Sequence, residues 1–178
     1  SLENLQKLNL EENKLENLEE AVFEKMSDLE ILNLGKNQLV SIENLQFAGQ
    51  NNLKQLYLYS NKINNIKKFA FNSLFKLEIL SLQDNKIISI EPSIFRNLLN
   101  LKRLYIHNNG LTSIEASTFK SLKNLVEVNL SYNQINSIDS KWFIDCPNLQ
   151  YLFIDHNKLS LIDSETFSDL KNISSLYL

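Results

Sequence analysis

Three glycines and two prolines in 178 residues are too few for a fold built from many glycine- or proline-dependent turns. The single cysteine, Cys146, excludes an internal disulfide, so thiol chemistry does not report on the compartment. Positive charge is also scarce: 18 basic against 21 acidic residues leave a net charge of -3. That balance supplies no broad field for a nucleic-acid backbone and no polybasic anchor for direct membrane contact. Nowhere does the chain approach the roughly 18 to 20 continuous apolar residues of a membrane span, and Ser1-Leu2-Glu3 does not open a positively charged leader. What is present, 43% hydrophobic and 22% charged residues, suffices for one globular core.

The chain is a repeat. LQKLNLEEN, LEILNLGKN, LKQLYLYSN, LEILSLQDN, LKRLYIHNN, LVEVNLSYN and LQYLFIDHN follow one another. Their first residues are Leu5, Leu29, Leu53, Leu77, Leu101, Leu125 and Leu149, and an eighth, partial unit starts at Ile173. The spacing of 24 is constant, which keeps every interior residue in register with its equivalents above and below. Counting positions within each turn from these residues, aliphatic side chains occupy one, four, six, eleven and fourteen. Position nine is asparagine in all seven full turns, from Asn13 to Asn157. An amide has donors and an acceptor for the main-chain groups that a sharp turn leaves facing inward, and it stands in for the missing glycine. Position nineteen is phenylalanine in all seven, from Phe23 to Phe167, and predicts an aromatic spine on the side away from the strands.

The pattern LxxLxLxxNxLxxLxxxxFxxLxx resembles the 24-residue typical form of the leucine-rich repeat family over essentially the whole chain. The resemblance implies an α/β solenoid, a right-handed arc with a concave parallel β-sheet and a mostly irregular or short-helical convex side, spanning 1–178. It also implies a non-catalytic recognition module of the kind found in Toll-like receptors, Slit proteins, small proteoglycans and insect leucine-rich immune proteins. On that footing the expectation is an extracellular or cell-surface ectodomain segment. The alternatives are a self-associating adhesion or matrix protein, with a possible homodimer, and an intracellular adaptor. The chain begins within one turn and ends within another without caps, which predicts an interior segment of a longer solenoid.

Strand side chains alternate, so positions four and six point inward while three, five and seven face outward, with two and eight at the edges. All six tyrosines and both histidines fall in these outward phases. The candidate ligand-binding residues are Tyr57, Tyr59, Arg103, Tyr105, His107, Glu127, Tyr132, Tyr151, Phe153 and Asp155, with a protein or peptide as partner. Adjacent strands about 4.8 Å apart place Tyr57 and Tyr105 roughly 10 Å from each other. Ser81 forms a low rung between them, which predicts a groove. The competing explanation is that aromatics simply favour strands, where they pack on cross-strand neighbours.

Lysines at position ten and acids at position fifteen, from Glu19 to Asp163, read as solvated flanks, with an acidic docking edge as the second reading. Cys146 and Trp142 read as packing residues, although an exposed indole would mark a second contact surface. Gln50, polar in an apolar phase, predicts a bulge or loosening at FAGQNN. Asn129 and Asn172 open glycosylation sequons, and a glycan on Asn129 would obstruct the proposed groove. No spacing suggests a catalytic constellation, a cofactor or a metal site.

Overall fold

The computed structural model describes residues 2–178. Each full turn opens with a three-residue strand, because only positions three to five are extended before the chain bends at the asparagine. These strands are β1 (Lys7–Asn9), β2 (Ile31–Asn33), β4 (Gln55–Tyr57), β6 (Ile79–Ser81), β7 (Arg103–Tyr105), β8 (Glu127–Asn129), β9 (Tyr151–Phe153) and β10 (Ser175–Tyr177). They form one eight-stranded parallel sheet in chain order, and every residue pairs with the residue 24 positions further on. A second, two-residue pairing joins β3 (Ser41–Ile42) to β5 (Asn65–Ile66) where positions thirteen and fourteen begin the return path. The remaining return segments are successive turns, and no helix occurs among the described residues. The convex side thus takes the irregular form of the two expected from the resemblance.

The core is the set of recurring aliphatic and phenylalanine positions. Leu56, Leu80, Leu104 and Val128, neighbours at position four, are all fully buried. Phe23, Phe47 and Phe71 stack with centroids 6.3 and 6.2 Å apart, and Phe119 lies 5.0 Å from Phe143, so the aromatic spine runs in two stretches.

The asparagine ladder has a fixed wiring. Asn133 Nδ2 donates to the carbonyls of Leu130 and Ser131 in its own turn and of Ile106 in the preceding one. Its Oδ1 accepts the amide of Leu111 from that preceding turn. Asn37, Asn61, Asn85, Asn109 and Asn157 repeat the arrangement. The asparagine does not itself adopt the glycine conformation. Position eight does: Glu12, Lys36, Ser60, Asp84, Asn108, Tyr132 and His156 all have φ between 52° and 60°. Non-glycine residues there carry steric strain, which the hydrogen bonds of the ladder asparagines, four each from Asn37 to Asn157, offset.

The structure corrects the expectation at Gln50, agrees with packing at Trp142 and adds a role for the acids of position fifteen. Gln50 does not loosen its turn; it is fully buried, and its Nε2 donates to the Phe23 carbonyl at 2.7 Å. Trp142 is buried, edge-on to Phe119, and donates Nε1–H to the Ile114 carbonyl, so it is a packing residue and not a convex contact. The acids of position fifteen cap the return turns, as Asp139 accepts the amide of Lys141, Glu91 that of Ser93 and Asp163 that of Glu165. A second ladder escaped the sequence reading. The amides of Asn52, Asn100, Asn124, Asn148 and Asn172, at position twenty-four, each donate to a carbonyl of the preceding turn. Its sequence signal was the near-constant asparagine there.

Candidate recognition face

The outward residues of the sheet divide into two groups. In the middle turns the aromatics are half-buried and held by neighbours. Tyr57 donates its hydroxyl to Gln55 Oε1 at 2.8 Å and meets Tyr59 edge-on at 6.5 Å. The ring of Tyr59 lies over Gly35 in the adjacent turn, with its hydroxyl toward the Glu11 carboxylate two turns away. Glu11 also accepts Asn33 Nδ2 and pairs with Lys36 at 3.0 Å. Tyr59 and Lys36, in that order, hold its carboxyl below the usual range.

Tyr105 sits edge-on to His107 at 6.5 Å. Burial, with the Glu127 carboxylate adding to it, pushes the Tyr105 phenol up to about 12. Arg103 Nε reaches Glu127 at 3.6 Å. His107 Nδ1 is buried without a hydrogen-bond partner, and desolvation lowers the ring's pKa against the opposing pull of Asp84.

Ser81 is not the open rung that the spacing predicts. Ser81 stands in register between Tyr57 and Tyr105, yet it is only 1% exposed, with its hydroxyl turned to Gln83. The rung between the two tyrosines is therefore covered, not open.

In the last turns Tyr132, Tyr151 and Tyr177 are exposed, Tyr177 on the terminal strand of the sheet, and Phe153 is half-buried. Tyr132 is 54% exposed and stacks on His156 with centroids 4.2 Å apart. Tyr151 is 38% exposed, and Phe153 stacks on Tyr177 at 4.7 Å. Asp155 lies 3.5 Å from His156 and accepts the hydroxyl of Ser131. Asn129 is in register with Phe153. Its Oδ1 accepts the Ser131 amide, and its Nδ2 has no hydrogen-bond partner among the described residues. Asn172 is exposed, and its Nδ2 donates to the Pro147 carbonyl.

Comparison with known proteins agrees with the geometry. A family model described as Leucine rich repeat matches residues 3–63, 51–109, 99–159 and 124–178. Among solved structures, a chain from the crystal structure of a TLR13–ssRNA13 complex is 33% identical over 94% of this chain, with a TM-score of 0.89. The present chain spans 24% of that one. No curated protein matches. With the 24-residue period, the asparagine ladder, the parallel sheet and a family model matching from residue 3 to residue 178, the chain belongs to the leucine-rich repeat family.

Proposed function

We propose that this solenoid is a non-catalytic recognition module that binds a protein or peptide ligand across its strand face, as part of an extracellular or cell-surface receptor. The observation that carries the reading is the exposed aromatic group of the last turns. Tyr132 on His156 and Phe153 on Tyr177 are held as stacked pairs, flanked by Tyr151. Rings fixed before binding lose little conformational entropy when a partner covers them, and tyrosine combines contact area with a polar tip. Tyr57, Tyr59, Arg103, Tyr105, His107, Glu127 and Asp155 then form the polar and aromatic margin of the same face. Glycans on Asn129 and Asn172 belong to this reading, and one on Asn129 would confine the ligand to the turns on either side of it.

The TLR13 chain was solved in complex with single-stranded RNA. The charge of the present strand face favours a protein instead. Its outward and edge positions three, five, seven and eight carry Lys7, Lys36 and Arg103 against Glu11, Glu12, Asp84, Glu127 and Asp155. Lys36 and Arg103 are already beside carboxylates, so no positive field remains to gather phosphates.

The test is capture of ligand from extracellular fluid on the wild-type chain and on a Tyr105→Ala/Phe153→Ala variant, with Phe119→Ala as a packing control. The species bound by wild type should be lost from the double variant while its unfolding midpoint stays nearly unchanged. Phe119→Ala should unfold earlier, by about 3–5 kcal/mol of lost stability. Equal retention by the double variant would move the site off the strand face. Single-stranded RNA bound as tightly as any protein would overturn the choice of ligand class.

A further inference from the structure

Charge on the convex side is segregated along the solenoid. From position fifteen to the end of the turn, the first two turns carry five acidic residues against one basic, and the sixth and seventh carry five against two. The third to fifth turns invert this balance. They carry Lys67, Lys68, Lys76, Arg96, Lys120 and Lys123 against Glu91 and Glu115, and all six cations are exposed. In a chain of net charge -3 this is a local reversal of sign.

Apolar side chains are exposed in the same three turns. Phe69, Phe75 and Leu99 are 40%, 47% and 53% exposed. Charged and apolar groups form one connected surface. The Arg96 guanidinium lies over the Phe69 ring, 5.4 Å from its centroid. Arg96 and Lys120 then line a hollow of about 210 Å³ together with Pro92, Ser93, Ser117 and Thr118. Lys120 and Ser121 border a second hollow, of about 450 Å³, walled by Leu99 and Lys123. Lys68 is within 3.7 Å of Glu91, and Lys76 donates to Asn52, but Arg96, Lys120 and Lys123 have no carboxylate partner among the described residues.

We infer that this convex flank is a second recognition surface, distinct from the strand face, and that it takes an acidic polypeptide segment carrying apolar side chains. Charge complementarity selects the acidic partner, since three unpaired cations border the two hollows and attract carboxylates over a screening length of about 8 Å. The apolar residues select the polypeptide. A sulfated sugar or a nucleic-acid backbone would satisfy the lysines while leaving Phe69, Phe75 and Leu99 in water, whereas leucine or phenylalanine side chains between carboxylates would cover both kinds of group. Arg96, braced on Phe69, keeps guanidinium donors for a carboxylate fork.

The whole chain, isotope-labelled, is titrated with a short synthetic peptide of alternating glutamate and leucine, and in parallel with a sulfated heparin fragment and with single-stranded RNA. Amide shifts are expected to cluster at residues 93–99 and 117–124 with the peptide. Affinity should fall roughly tenfold or more in Lys120→Glu/Lys123→Glu and also in Phe69→Ser/Leu99→Ser. It should be unchanged in Tyr105→Ala, which separates this surface from the strand face. If charge reversal impairs folding, Lys120→Gln/Lys123→Gln gives the same reading with a smaller loss. Shifts confined to the strand face, no shifts at all, or heparin or RNA binding as tightly as the peptide with indifference to the apolar pair would overturn the inference.

Discussion

The ring of Tyr59 lies across Gly35, so close that a β-carbon on the glycine would stand 2.6 Å from two of its atoms. Gly35 occupies position seven of its turn, the same outward phase as Tyr59 in the next. Only the missing side chain lets the tyrosine pass over that strand toward the Glu11 carboxylate beyond it.

Gly35→Ala should therefore displace the ring. Burial, and then the neighbouring Glu11 carboxylate, raise the Tyr59 phenol above its ordinary value, so displacement should bring its titration back toward 10. Ultraviolet difference absorbance against pH measures this directly. A Tyr59 titration unchanged by the alanine would show that the ring does not depend on the gap.

Asn133→Ala removes four hydrogen bonds at once and strands the Leu111 amide, while the Leu130, Ile106 and Ser131 carbonyls keep Asn157 Nδ2, Asn109 Nδ2 and the Asn108 amide as donors. Stranding one buried main-chain group costs about 1–3 kcal/mol, so a loss of that size is expected in denaturant unfolding. Asn133→Asp should be costly as well, since a carboxylate keeps the acceptor and loses the donors. A loss below about 0.5 kcal/mol for the alanine would mean that water replaces the ladder.

Tyr105 gives a pH dependence of definite sign. Its phenol is pushed up to about 12 in the fold, chiefly by burial, against an ordinary 10. The neutral form is favoured in the folded chain. The associated stability is therefore fully present below pH 10 and is lost as pH rises through about 12. Comparing wild type with Tyr105→Phe between these limits isolates it: the wild type should destabilise more steeply. Parallel curves would remove the buried phenol as the cause.

Cys146 should be inert in the native chain. Its Sγ lies 3.5 Å from the Phe119 carbonyl, and burial, with Asp145 adding to it, pushes the thiol up to about 12. At about pH 8 almost no thiolate exists, and alkylation by iodoacetamide should proceed only as fast as the turn opens. Denatured protein should react at once. Rapid labelling of folded protein would contradict the burial.

Much of this molecule was legible in the sequence. A strict period of 24 makes each interior position face its own equivalent in the next turn, so one set of leucines, asparagines and phenylalanines specified strand register, core and ladder together. Alternation along the strand likewise separated Leu104, which is buried, from Arg103 and Tyr105, which are not. The period also told which residues point outward.

What outward residues do once there was settled only in three dimensions, because their contacts run between turns and depend on side-chain length. Ser81 is outward by phase but covered by its neighbours, whereas Tyr132 and His156 leave the surface as an exposed stacked pair. Gln50 and Trp142 were polar or ambiguous in sequence and are interior in the fold, because each finds a carbonyl of the preceding turn. The basic flank of the third to fifth turns is spread over residues 67–123 and becomes one surface only when stacking brings Phe69, Arg96 and Lys120 side by side. Periodicity fixes which way a side chain leaves the coil; what it meets there depends on the size and charge of residues 24 positions away.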